Sequence, residues 1–432
     1  MTLSPTASNN IRVRLGDDGG WHDRRDHNEL LAWESHVAQA SEPPHIVVYA
    51  HGGLVSEAVG NSIIDTIEQR LFANAPNICH VSFLNRTGLF ETLDQLSNSR
   101  AFTWLARAVT SVLSALQDAS ALPEHDGSPE VREDASQVAV KRARELHGRL
   151  QSRSLTDSIV DEVANKLLQL PEPQVAAALL EVARAVQRRA AARVVVKGRV
   201  RRDSASPVPA SRNEFDAYLV EEVVRRFQLP PVSAWREMKR RVHAAFAPPH
   251  PGAAIVASVQ RVRHIQPDAR VSLIGHSLGG IWVEAYLACA GETGNDLHVD
   301  TVALLAPANS LASFRRVHRW QGTVWTQALL MGLTDAEERE EIDELSPLLG
   351  TLYPRTLLYL ISNALEDQPA FPILGMQKFW EAPVPHDVHD LFQQVSWVPG
   401  IVDGQVIEQY SHGGFSTNPQ VLAWLASRLV DS

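Results

Sequence analysis

Residues 271–280 read Val271-Ser272-Leu273-Ile274-Gly275-His276-Ser277-Leu278-Gly279-Gly280. A short run of strand type breaks directly into Gly-x-Ser-x-Gly. Apolar residues at helical spacing follow (Ile281, Trp282, Ala285, Tyr286, Ala288 and Cys289), up to Gly291, which is expected to stop the helix. A chain that passes from strand to helix across five residues must turn sharply, and that turn forces the central serine into a strained conformation. The small residues two positions on either side, Gly275 and Gly279, let neighbouring backbone approach without a Cβ in the way. Ser277 is then presented at the carboxyl edge of a sheet, beside a helix N-terminus. That geometry suits attack on a carbonyl. The five-residue pattern alone recurs by chance; the strand before it and the helix after it do not.

On the N-terminal side, Pro44-His45-Ile46-Val47-Val48-Tyr49-Ala50 has the unbroken apolar character of a strand covered on both faces, and it runs into His51-Gly52-Gly53-Leu54. Further strands are expected from Ile11 to Leu15 and from Ile78 to Phe83, with helices around Glu29 to Ala40 and Ser56 to Asn74. On the C-terminal side, Val299 to Leu305 reads as a strand. A helical stretch bearing Trp320 and Trp325 and the acidic run Asp335 to Glu344 comes next. A strand is then expected from Thr356 to Ile361, ending at Glu366-Asp367, and a helix from Asn418 to Leu429 closes the chain. Alternating strands and helices predict an α/β fold, a mainly parallel sheet flanked by helices. From about Phe90 to Pro251 the pattern is mostly helical, with breaks at Ser128-Pro129 and Ser204-Ala205-Ser206-Pro207. The expected organisation is therefore a core made of residues 1–90 and 252–432, with residues 91–251 as a large helical insertion able to act as a lid or cap.

Composition narrows the class. The 432 residues carry a net charge of −10, which gives no global pull toward nucleic acid or an anionic membrane. The two cysteines, Cys79 and Cys289, both sit in apolar surroundings and read as buried thiols. No stretch has the length and apolarity of a membrane span, and the first residues lack the features of a secretory signal. A cytoplasmic protein is the expectation. The arginine-rich block from Arg184 to Arg202 has no interleaved aromatic residues and reads as a solvated helix face, so no nucleic-acid partner is expected.

A strand ending in His51-Gly52-Gly53, then strand–Gly-x-Ser-x-Gly–helix, a late acid and a later histidine together resemble the α/β-hydrolase superfamily, over roughly residues 40–90 and 255–432. The resemblance implies the order Ser, then Asp or Glu, then His, with the acid after a late strand. Ser277 would be the nucleophile. His412, on the Gly-rich loop Tyr410-Ser411-His412-Gly413-Gly414, is the favoured base among seventeen histidines, with His386 and His389 as rivals. Asp367 takes the place of the orienting acid; Glu366 is the neighbouring alternative, and Asp387, Asp390 and Asp403 remain open. The His51-Gly52-Gly53-Leu54 segment resembles the oxyanion-hole segment of esterases and lipases, with Gly53 or Leu54 and Leu278 as amide donors. Leu54 stands where the fuller esterase pattern has a third glycine.

The resulting expectation is hydrolysis of a small-molecule or lipid-like carboxylic ester through an acyl-enzyme, with no metal ion and no organic cofactor. The same residues would serve a thioesterase, an amidase or peptidase, or an acyltransferase. A non-catalytic scaffold that binds a protein or lipid partner is the alternative of another class. Trp320, Trp325, Phe371, Phe379 and Trp380 would line an acyl pocket or belong to the ordinary core, and Thr87 to Thr92 would form a loop near the site entrance.

Overall fold

A computed structural model describes residues 9–53, 57–72, 77–84, 181–182, 185–186, 212–293, 297–340, 353–380 and 389–429. Its centre is one sheet built from β1 (Asn10–Arg14), β2 (His45–Ala50), β3 (Ile78–Leu84), β4 (Arg270–His276), β5 (Val299–Leu305), β6 (Trp325–Leu333) and β7 (Gln394–Val398). The strands lie in the order β1-β3-β2-β4-β5-β6-β7, and every neighbouring pair is parallel. The expected α/β architecture with a parallel sheet is borne out. Every residue of β2 and β3 is buried, as strands covered on both faces must be. A short antiparallel ribbon, β8 (Gly400–Val402) with β9 (Gln405–Ile407), follows the last sheet strand.

The described helices are α1 (Arg24–Ala38), α2 (Glu57–Ile67), α3 (Arg212–Arg226), α4 (Pro230–Ala244), α5 (Pro251–Ile265), α6 (Leu278–Glu292), α7 (Leu311–Val317), α8 (Asp335–Glu340), α9 (Leu357–Leu360) and α10 (Pro419–Leu429). Strand register decides which face each one covers. Ala50 lies opposite Phe83 and Gly275, and these face α6, where Phe83 meets Trp282 at 4.8 Å between ring centroids. Tyr49 lies opposite Ser82 and Ile274 and points to the other face, where its hydroxyl reaches Ser416 just ahead of α10. The helix α6 is apolar nearly all round and correspondingly buried, which makes it the central helix of its layer. It packs on β2 and β4 and against α4, α5 and α7.

Three expectations change. Thr356 to Ile361 is not a strand: Thr356 caps α9, accepting from the Tyr359 amide, and a π-helical turn continues through Leu365. A five-residue apolar run does not by itself separate a strand from a buried helix, and a threonine ahead of it is a good N-cap. The stretch around Trp325, read as helical, is instead the nine-residue strand β6, inserted between β5 and β7. Gly291 does not end α6, which continues to Glu292; the absent side chain leaves room for the Trp320 ring against the helix.

Within the expected insertion the described parts are helical, namely α3, α4 and the start of α5, and they share one hydrophobic core with the sheet through Trp235, Met238 and Val242. The breaks at Ser128-Pro129 and Ser204-Pro207, the basic side chains of the block from Arg184 to Arg202 and the Thr87–Thr92 loop lie outside the described residues. Among the described residues no helix is long and apolar enough to cross a membrane.

Candidate active site

Ser277 stands between β4 and α6 with φ 54° and ψ −116°, a backbone conformation that costs a non-glycine residue on the order of 1–3 kcal/mol. The surroundings hold it there. Its N–H donates to Leu305 O, and its carbonyl accepts from Ala308 and Gly280, each at 3.0 Å, so both of its peptide groups are tied down, two of the three bonds going to the end of β5 and the loop after it. The turn closes because Gly275 and Gly279 touch: a Cβ on Gly275 would lie 2.5 Å from Gly279 O, and one on Gly279 would run into the Ala50 carbonyl of β2. The sequence-level argument for small residues at these two positions is borne out in the contact distances.

His412 lies on the loop between β9 and α10, at the head of the 3-10 turn Gly413–Ser416. Its Nε2 is 2.9 Å from Ser277 Oγ across 135 residues of chain, and both side chains are buried. In the tautomer protonated on Nδ1, the serine hydroxyl donates to Nε2, which is the contact a hydroxyl needs before it can act as a nucleophile. Burial, with the neighbouring His276 as a lesser cause, holds the His412 imidazole well below its ordinary pKa and so in its neutral, proton-accepting form.

The Gly52-Gly53 segment comes against the same serine. A Cβ on Gly52 would stand 3.2 Å from Ser277 Cβ, and one on Gly53 would stand 3.1 Å from Leu278 Cδ2 and collide with the Met238 methyl of α4. Leu278 is the first residue of α6, so its N–H has no acceptor within the helix and lies at the positive end of the helix dipole. His51 Nδ1 donates to Gly52 O at 2.5 Å. Because the peptide is planar and trans, pinning that carbonyl also sets the direction of the Gly53 N–H. Leu54 lies outside the described residues. Sequence reasoning placed Gly53 and Leu278 together and missed Met238, which no local motif marks.

The acid assigned from sequence lies elsewhere. Asp367 is 82% exposed and paired with Arg236 at 3.2 Å, whereas His412 is 1% exposed. A carboxylate that orients a buried imidazole must itself touch the ring, and Asp367 does not occupy that place. Glu366 is engaged as well: it accepts from Lys239 Nζ at 2.6 Å and Trp235 Nε1 at 2.8 Å. Glu366 clamps α4 onto the turn after α9, and Asp367 adds an exposed ion pair beside it. Asp403 binds Gln394, Trp424 and Arg428, and Asp335, at the end of β6, binds Tyr359 and Arg339. His389 lies against Trp380, while His386 and Asp387 are outside the described residues. Replacing Glu366 with Ala is expected to cost about 2 kcal/mol, because Lys239 and Trp235 lose a shared, largely shielded acceptor. Asp367→Ala should stay within about 0.5 kcal/mol of wild type. Urea denaturation of the two variants checks the contrast, and equal costs would mean that α4 is not clamped in this way.

Of the aromatic set considered for an acyl pocket, Trp325 and Trp380 belong to one packed group of rings, linked through Phe314 and Phe392. Trp325 is buried in β6 with its Nε1 on Val317 O, Trp380 packs on Phe392 and Trp397, and Trp320 covers Gly291. Among the described residues no group of three His, Cys, Asp or Glu side chains is arranged to hold a metal ion.

Burial brings His51 and His276 down to about 4. An imidazole whose folded pKa lies below its unfolded value of about 6.5 takes up its proton more readily in the unfolded chain. The stability it contributes is complete above about pH 6.5 and is lost progressively as pH falls toward 4, on the order of 3 kcal/mol per group over the whole window. The urea midpoint is expected to be flat between about pH 7 and 8 and to drop steeply between about pH 6 and 5. A midpoint unchanged down to about pH 5 would show that these rings are solvated rather than buried.

In comparisons with protein-family models, curated proteins and solved structures, no significant match was found.

Proposed function

We propose that this chain is a serine hydrolase of the α/β-hydrolase type, which cleaves a small-molecule or lipid-like carboxylic ester through an acyl-enzyme on Ser277. The observation that carries the reading is the 2.9 Å contact between His412 Nε2 and the hydroxyl of a serine held at positive φ between a strand and a helix. Strain of this kind persists only where surrounding structure enforces it, and it concentrates at functional sites.

The chemistry follows from the positions. Ser277 Oγ attacks the ester carbonyl carbon as His412 Nε2 takes the hydroxyl proton. The carbonyl oxygen becomes an oxyanion and is received by the amides of Leu278 and Gly53, aided by the positive end of α6. Collapse of the tetrahedral intermediate expels the alkoxide, which takes the proton from the imidazolium. Water, deprotonated by the same Nε2, then attacks the acyl-Ser277 ester; the second collapse releases the carboxylic acid and returns the proton to Ser277. In this reading α4 covers the oxyanion segment with Met238 and belongs to the lid or cap.

The test is labelling of wild-type and Ser277→Ala proteins with a fluorescent fluorophosphonate, followed by turnover of aryl esters of increasing chain length. Labelling and turnover should both be present in wild type and both be lost in the variant. Labelling without ester turnover would move the substrate to thioesters, amides or acyl transfer. A folded wild type that does not label would remove the activated serine and favour a binding scaffold.

A further inference from the structure

His276, the residue between Gly275 and the serine, has a buried ring whose two nitrogens both engage the turn that carries His412. Its Nε2 is 2.9 Å from His412 O, and its Nδ1 is 2.9 Å from Ser416 Oγ. His412 precedes the 3-10 turn and Ser416 ends it, so a single imidazole grips the turn at its N-cap and at its last residue. The Tyr49 hydroxyl of β2 lies 2.9 Å from Ser416 Oγ on the far side.

The protons can be placed from chemistry alone. A carbonyl only accepts, so Nε2 of His276 carries the hydrogen that goes to His412 O. In the neutral ring Nδ1 is then the acceptor, and the Ser416 hydroxyl donates to it. Ser416 Oγ in turn accepts from Tyr49 Oη. The chain Tyr49 → Ser416 → His276 → His412 carbonyl runs in one direction with every donor used. All four residues are buried, so water does not compete for these bonds.

We propose that His276, held in its tautomer by Ser416 and Tyr49, is the positioning residue that fixes the His412 turn against Ser277. Because His276 and Ser277 are consecutive in the chain, the same backbone that presents the nucleophile also carries the clamp for its base. Motion of the His412 turn relative to Ser277 requires both imidazole bonds to break. The proposal rests on the reading of Ser277 and His412 as nucleophile and base.

Four variants test it: Tyr49→Phe, Ser416→Ala, His276→Leu and His276→Gln. The readouts are kcat and KM on an aryl ester, the second-order rate of fluorophosphonate labelling and the urea midpoint. His276→Leu should lower kcat and the labelling rate about a hundredfold, the scale of a small misplacement of a catalytic group. Ser416→Ala should lower them about tenfold and Tyr49→Phe about threefold, in the order of their distance along the chain of bonds, with KM within about twofold. His276→Gln, whose amide can still donate to the His412 carbonyl, should recover about tenfold over the leucine variant. A purely structural role would lower the urea midpoint without this graded loss of kcat. Should His276→Leu fail to fold, Ser416→Ala and Tyr49→Phe decide the matter alone. Wild-type rates in folded Ser416→Ala and His276 variants overturn the positioning role and leave the nucleophile standing. Absence of labelling in wild type overturns the nucleophile reading, and the positioning role with it.

Discussion

Ser277→Ala, His412→Ala and the double variant are each expected to lower kcat by about 10⁵ to 10⁶, all within about tenfold of one another. Each loss corresponds to roughly 7–8 kcal/mol of transition-state stabilisation. Independent contributions would multiply, and the double variant would then be immeasurably slow. In the proposed reading the two residues act as one device, because a serine hydroxyl without its base is close to inert and the base without the hydroxyl has no proton to move. The structure supplies the reason for the coupling in the 2.9 Å contact between Nε2 and Oγ, buried on both sides. Residual catalysis of about 10³ over water is expected from binding and from the Leu278 and Gly53 amides. Steady-state kinetics on the best aryl ester would decide it. A His412→Ala protein that keeps more than about a tenth of wild-type kcat would mean that another group is the base, and would reopen the histidines set aside above.

Gly279→Ala is expected to cost about 3 kcal/mol and to abolish labelling of Ser277 at a temperature where wild type labels fully. The added methyl would occupy the space of the Ala50 carbonyl, and that carbonyl belongs to a central strand paired on both sides, with β3 and β4. It cannot swing away as the end of a side chain would, so α6 must lift from the sheet and carry the Leu278 amide and the Ser277 turn with it. Against a typical total stability of about 5–15 kcal/mol this is a large loss from one methyl group. Gly322→Ala makes the control. Its φ is +79°, but among the described residues nothing lies within 4 Å of where the Cβ would stand, so only backbone strain of about 1–2 kcal/mol is expected. Urea denaturation of both variants, with labelling at matched fractions folded, separates steric from conformational cost. A Gly279→Ala protein with the wild-type midpoint and labelling would show that the helix does not sit that close.

Much of the frame was legible because it is local. The strand β2 is apolar at nearly every position, β3 to β5 are short segments with apolar centres, and the turn at Ser277 is marked by glycines whose spacing reflects a collision that any side chain would cause. The His412 loop was legible for a similar reason, since a polar, glycine-rich segment ahead of a final amphipathic helix has few other places to go. Asp367 was expected beside His412 because its position was counted from a strand that does not exist. Thr356 to Ile361 carries the same apolar letters whether it forms a strand or a capped buried helix, and only packing against α3, α4 and α8 selects the helix. The true sixth strand, β6, owes its extended form to the neighbours β5 and β7 on either side.

The local order of residues, by itself, determined a parallel α/β core, the position of the strained serine and the glycines that allow it, since each depends on contacts within a few residues or on periodic burial. The tertiary structure alone decided what meets that serine. It brought His412 to 2.9 Å across 135 positions, laid Met238 over Gly53, committed Glu366 and Asp367 to partners on α4, and enclosed His276 between Ser416 and the His412 carbonyl. The physical reason is the same in each case. Hydrogen bonds and close contacts between distant segments are set by strand register and helix packing, and no spacing along the chain encodes them.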